Sequence, residues 1–187
     1  MTNNKTVFIT VFDSIDTVKV KKWINACTEV IQVHKPTELY FLFASTGGEV
    51  DAGFVLYNYL VSLQQKVTIT MHNTGLINSM ANVVFMAGQK RYAAPNASFL
   101  YHGIKLGING ELNIVQLREM ISSMEGMEKR IAATISGKSN ITEAELKELF
   151  HQGQAKDVAF ALEKGIINEI KAPSVPPDAI LLTMNLS

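Results

Sequence analysis

Residues 38–44, ELYFLFA, form a nearly unbroken apolar run closed by the turn residues of STGG at 45–48. A short run of this kind is expected to be a strand covered on both faces. Such a strand demands partners on either side and helices above and below it. The flanking sequence supplies them. Alternating VFITVF (7–12) reads as a strand, and TVKVKKWINACTEVIQV (17–33) as an amphipathic helix ended before Pro36. VDAGFVLYNYLVSLQ (50–64) is a second helix and VTITMHN (67–73) a further strand, and short strands RYA and SFLY flank the turn APNA. Strands alternating with helices at this spacing imply βαβ units, so the fold class is α/β with a mostly parallel sheet. Ligands of such sheets gather at the carboxyl ends of the strands. STGG and NTGLINS (73–79) are expected to be two loops of that kind.

Beyond residue 110 the period changes. Ile114, Leu117, Ile121, Met124, Ile131 and Ile135 recur at threes and fours from Glu111 to about Ser136, which predicts one long helix with an apolar stripe. Two readings stand open: a core helix folded back on the sheet, or an arm that packs on another subunit, for which Met120, Met124 and Met127 suit an adaptable surface. ITEAELKELF and AKDVAFALEKG predict two shorter helices, the latter capped by Asp157 and stopped by Gly165. The tail, about 172–187, carries three of the five prolines and is expected to be extended, docking through Ile180, Leu181 and Leu182. The length, 187 residues, fits one domain.

Composition removes several function classes. Lys plus Arg and Asp plus Glu both number 17, and no basic stripe with interleaved aromatics occurs, so nucleic-acid binding is not expected. The single cysteine, Cys27, sits at a helical spacing that makes it a buried small hydrophobe. No Cys/His cluster has zinc spacing, so neither metal nor other cofactor is expected. The N-terminus lacks a signal-peptide pattern and no apolar run reaches the roughly 18 residues needed to span a bilayer. A soluble, cytoplasmic protein is the expectation.

Ser79 lies where a strand gives way to the small, apolar segment MANVVFMAG. A serine entering a helix is either an N-cap or, with amide donors and a base near it, a nucleophile. Four histidines could serve as base. His34 ends a helix, His72 sits on a strand, and His151 precedes a helix in ELFHQGQ. His102 ends the strand SFLYH on the same sheet, before the glycine-rich GIKLGING (103–110), and is the best placed. No G-x-S-x-G elbow is present.

Four ordered motifs resemble the ClpP family of self-compartmentalised serine peptidases, within the ClpP/crotonase superfamily, over roughly residues 38–171. STGGEVDAGFVLYNYL is similar to the family's Ser-Pro-Gly-Gly loop and helix. GLINSM is similar to its Gly-x-Ala-Ala-Ser-Met segment. APNASFLYH resembles its Leu-Pro-Asn turn and the strand ending in Met-Ile-His, and EKGIINE its Glu-x-Gly-Leu-x-Asp pattern. The resemblance implies a fold of repeated βαβ units with a projecting handle, here a strand and helix over about 103–136. It implies Ser79 as nucleophile, His102 as general base, and the backbone amides of Gly48 and Met80 as oxyanion hole. GIKLGING matches the strand that pairs with an extended substrate, placing Ile104 and Leu106 at substrate. The implied activity is a serine endopeptidase cutting unfolded chains or peptides through a Ser79 acyl-enzyme. The implied partners are further copies in a heptameric or stacked ring, and an AAA+ unfoldase.

The sequence departs from the family in three places. Counting back from Gly165, the family's third catalytic residue, an aspartate, falls on Gly153 in HQGQAK. Asp157, Gln152 and Gln154 are the nearest substitutes. Ile77 and Asn78 replace alanines, and the first strand begins at Val7, without the longer segment that docks an unfoldase in the family. Two alternatives follow: a catalytically weak or inactive ClpP-like ring subunit, and a crotonase-type acyl-thioester enzyme.

Overall fold

The computed structural model describes residues 5–108 and 110–184. In chain order the elements are β1 (Thr6–Phe12), α1 (Thr17–His34), β2 (Glu38–Ser45), α2 (Val50–Leu63), β3 (Thr68–Asn78), α3 (Ala81–Phe85) and β4 (Lys90–Ala93). There follow β5 (Ser98–Leu100), α4 (Ile114–Ser136), α5 (Glu143–Gln152), β6 (Ala155–Asp157), α6 (Val158–Glu163), β7 (Glu169–Ile170) and β8 (Ile180–Thr183). The sheet runs β6-β5-β3-β2-β1-β8, with β4 bonded to β3 and to β7. Among the described strands β5–β6 alone pairs antiparallel. This is the expected α/β class with a mostly parallel sheet.

Helix α1 starts where the Asp16 side chain accepts from Lys19 N at 2.9 Å, and ends at Lys35, whose left-handed φ of 48° closes the last turn before Pro36. It buries Val20, Trp23, Cys27 and Val30, one stripe at threes and fours. Trp23 lies on Phe41 and Phe43 of β2, ring centroids 5.8 and 5.5 Å away. Burial pushes the Cys27 thiol up to about 12, so it is an inert packing group.

Three expectations change. First, β2 is not buried equally on both sides. Leu39, Phe41 and Phe43 are fully enclosed under the helices, whereas Tyr40 and Leu42 point to a half-open face. There Tyr40 packs with Phe8, His72 and Tyr92, so an aromatic layer stands where a second helical layer was expected. Second, NTGLIN is not a loop: β3 continues through Asn78. Asn73 accepts from Gly75 N and donates to Ser98 O, both at 2.9 Å, so side-chain bonds carry the strand across the irregularity. Third, GIKLGING forms no strand within its described residues. Among the described residues no strand pairs with it, the backbone bond from Gly103 N to Phe150 O being made to a helix, and a lone strand has no stability of its own.

Asn113 opens α4 through a capping box with Gln116. Only its last turns pack inward, through Ile131, Ala132 and Ile135, while Ile114, Val115, Leu117 and Ile121 are exposed. The core-helix reading therefore holds for its C-terminal turns alone, and its N-terminal half leaves the apolar stripe exposed. In the tail β8 lies parallel to β1; Ile180 and Leu182 pack on the core, but Leu181 is exposed. Among the described residues no helix is long and apolar enough to cross a membrane, and no cluster could hold a metal ion.

One buried cation locks the far side of the sheet. Arg91 on β4 donates through Nε to Ile166 O (2.7 Å), Nη1 to Gly88 O (3.0 Å) and Nη2 to Lys138 O (2.9 Å) and Gly165 O (3.1 Å). Its guanidinium thereby ties the ends of α3, α4 and α6 to one strand, with burial pulling its pKa down. Removing it leaves several buried carbonyls unpaired. Arg91→Met is expected to cost about 3 kcal/mol or more, and Arg91→Lys to recover little because an ammonium cannot fork to four acceptors. Urea midpoints compared at constant slope read this directly.

Candidate active site

Ser79 sits one residue beyond the end of β3 with φ of 56°, a left-handed backbone that costs a non-glycine residue about 1–2 kcal/mol. The surroundings hold it there. Ser79 N donates to Leu100 O at 3.0 Å, and Ser79 O accepts from Asn82 N, also at 3.0 Å. The Asn82 side chain adds a second clamp, donating to Ser79 O (3.0 Å) and to Leu100 O (2.9 Å). One buried amide thus joins the serine turn to the strand that leads, two residues later, to His102. Met80, not Ser79, occupies the cap position of α3, and Ser79 Oγ makes no hydrogen bond among the described residues. The cap reading fails on this geometry.

The glycine loop closes on the turn from the other side. A Cβ placed at Gly47 would lie 2.7 Å from Ser79 Cβ and 3.1 Å from Met80 N. At Gly48 (φ 152°) it would lie 1.9 Å from Ile15 O, because the loop is bridged to Ile15 by bonds from Ile15 N to Gly47 O and from Glu49 N to Ile15 O, each 2.8 Å. Only glycine permits this approach. That bridging leaves the Gly48 amide unused, and among the described residues neither it nor the Met80 amide finds an acceptor.

Ser79, His102, Gly48 and Ile104 line one cleft of about 250 Å³, together with Thr46, Lys105 and an apolar wall of Val50, Tyr101, Ile131, Ile135 and Phe150. Met80 contributes no side chain to it, being buried against Gly53 of α2, and Leu106 is exposed outside it. His102 Nδ1 lies 2.7 Å from Gly103 O. A carbonyl only accepts, so Nδ1 carries a proton, and the neutral ring then has its lone pair on Nε2. The other histidines are elsewhere. His72 is buried between Tyr40 Oη (2.7 Å) and Lys171 O (3.0 Å), His34 ends α1, and His151 is exposed on α5.

Of the stand-ins for the aspartate, Asp157 and Gln152 are engaged in structure instead. Gly153 is the left-handed stop of α5 (φ 60°), with open space around it. Asp157 caps α6, accepting from Phe160 N at 2.8 Å. Gln152 bonds Glu148 and Lys156 on the surface, and Gln154 is exposed. Sequence reasoning missed Asn82, whose only signal is a polar residue inside an otherwise apolar run, and the apolar wall, whose members come from four separate segments.

Because Oγ caps nothing, Ser79→Ala is expected to change stability by less than about 0.5 kcal/mol, where a lost cap would cost about 1. Ser79→Gly is expected to be at least as stable as Ser79→Ala, since glycine relieves the left-handed strain. Thermal or urea unfolding of the two variants distinguishes the cases.

Comparison with known proteins gives the family of the chain. The profile of the Clp protease family matches residues 2–174. An ATP-dependent Clp protease proteolytic subunit 2 of Treponema denticola is 26% identical over 145 residues, 76% of this chain and 69% of that protein. The equivalent subunit 2 of Pseudomonas aeruginosa is 24% identical over 142 residues, 74% of this chain and 70% of its own. A proteolytic subunit 1 of Protochlamydia amoebophila is 25% identical over 178 residues, 90% and 81% of the two chains. With the α/β fold and a family match over nearly its whole length, this chain belongs to the Clp protease family.

Proposed function

We propose that the protein is a serine endopeptidase of unfolded chains or peptides, working through a Ser79 acyl-enzyme. The observation that carries this is the strained Ser79 turn opening into the same cleft as Gly48 and His102. His102 Nε2 takes the Oγ proton as Oγ attacks the scissile carbonyl. The unbonded amides of Gly48 and Met80 receive the oxyanion. Collapse breaks the C–N bond, and the imidazolium returns its proton to the leaving amine. Water, deprotonated by the same nitrogen, then hydrolyses the ester. The apolar wall accepts an apolar substrate side chain, and the backbone beyond Ile104, residues 105–108, adds the substrate as a strand.

The relatives' names, ATP-dependent proteolytic subunits, support two further parts of the reading: assembly of copies into a ring, and supply of substrate by an ATP-driven unfoldase. The open Gly153 position favours a second reading, a ring subunit with little or no hydrolysis of its own.

A fluorophosphonate probe separates them. Ser79 labelling, located by mass spectrometry, is expected in the assembled protein and lost in Ser79→Ala. His102→Ala is expected to slow it by about 10³-fold. No labelling under conditions where an active Clp peptidase reacts would sink the peptidase reading and leave the ring subunit. Native mass spectrometry reads the assembly, and a monomer at all concentrations would overturn the ring.

A further inference from the structure

The peptide group joining Gly103 to Ile104 is bonded at both of its polar ends. Its carbonyl, Gly103 O, accepts from His102 Nδ1 at 2.7 Å. Its N–H, on Ile104, donates to Glu128 Oε1 at 3.0 Å. Glu128 is half-buried on α4, within the inward-facing part of that helix, three residues before Ile131. The adjoining peptide is held as well, since Gly103 N donates to Phe150 O at 3.0 Å. The packing there is close: a Cβ at Gly103 would lie 3.0 Å from Glu128 Oε1, so the carboxylate would have to shift slightly to admit one. The order in space is therefore carboxylate, peptide, imidazole.

We infer that Glu128 is the positioning carboxylate of this site, acting on His102 through the Gly103–Ile104 peptide in place of a directly bonded aspartate. The inference rests on His102 being the general base. A carboxylate accepting from an amide N–H makes a charge-assisted bond and draws electron density toward the carbonyl oxygen of the same group. That oxygen becomes the stronger acceptor for Nδ1–H. The ring is then fixed in the tautomer whose Nε2 lone pair is free, and the imidazolium formed during reaction gains a partner. None of Gly153, Asp157, Gln152 or Gln154 offers this contact.

Two measurements on full-length protein test it. One is the rate of fluorophosphonate labelling of Ser79. The other is the ¹⁵N shift pattern of the His102 ring, assigned by its disappearance in H102Q, at a pH where the imidazole is neutral. The parent protein is expected to show protonated Nδ1 and bare Nε2. E128A is expected to mix the tautomers and slow labelling about 10-fold or more. E128Q keeps an acceptor oxygen for Ile104 N–H, so it is expected to keep the tautomer and label at a rate between the other two. Unchanged ring shifts and labelling in E128A overturn the inference, as does an E128Q protein whose ring pattern is scrambled like that of E128A. Absence of labelling in every protein, with the tautomer change present in E128A, refutes the peptidase reading while leaving Glu128 in its positioning role.

Discussion

Everything in the cleft depends on β3 changing its neighbours along its length. Its first half, Thr70–Asn73, is bonded to β4; its second half, Leu76–Asn78, to β5. On the other side the register to β2 shifts between Phe43 and Ser45. β4 ends opposite Asn73 and β5 takes over at Leu76, so β3 stays bonded on both sides up to Ile77, opposite Ser45 and Phe99. Because the partner changes, β3 runs on past the irregularity and delivers Ser79 at its rim, beside the strand that leads to His102. Asn73 makes the change possible by satisfying amide and carbonyl groups that the ladder leaves unpaired at that point.

The same economy of buried polar groups shapes the site itself. Asn82 holds two carbonyls from two elements with one amide. The glycine loop is fixed by its bridge to Ile15, a contact made by backbone alone. The carbonyls these supports hold are bonded, whereas among the described residues Ser79 Oγ and the Gly48 and Met80 amides, which face the cleft, are left without partners. Paired scaffolding around unpaired tips is the arrangement by which donors stay aimed at where charge develops. It also explains why a residue in left-handed backbone is sustained at Ser79: the cost is spread over bonds that do not themselves take part in chemistry.

The sequence made the element order, the α/β class and the region of the site legible, because apolar period and glycine placement report local geometry. Asp157 and Gly165 act as the cap and stop expected of them. What escaped depends on relations across the chain. Asn73 and Gly75 look like a turn, and only the bond to Ser98 keeps them in a strand. ELYFLFA looks enclosed on both faces, yet Tyr40 on its second face is covered by aromatic neighbours from β1, β3 and β4 rather than by a helix. Glu128 reads as one more surface carboxylate on a charged helix, and nothing in its local pattern points to His102. A carboxylate near residue 153 is a local expectation, whereas Glu128 reaches the Gly103–Ile104 peptide from a different helix.

The position of β8 has a consequence for how the chain is made. β1 bonds β2 on one side and β8 on the other, with Val7 opposite Ile180. β1 and β2 can join as soon as both have left the ribosome, but the outer edge of β1 stays bare until residues 180–183 follow. At about 5–20 residues per second that interval is on the order of ten seconds. During it the nascent chain carries Val7, Phe8 and Ile9 on an open strand edge, the kind of surface that pairs with other chains. β8 is thus the last of the described strands to join this sheet, and until residues 180–183 emerge the edge of β1 is open to mispairing.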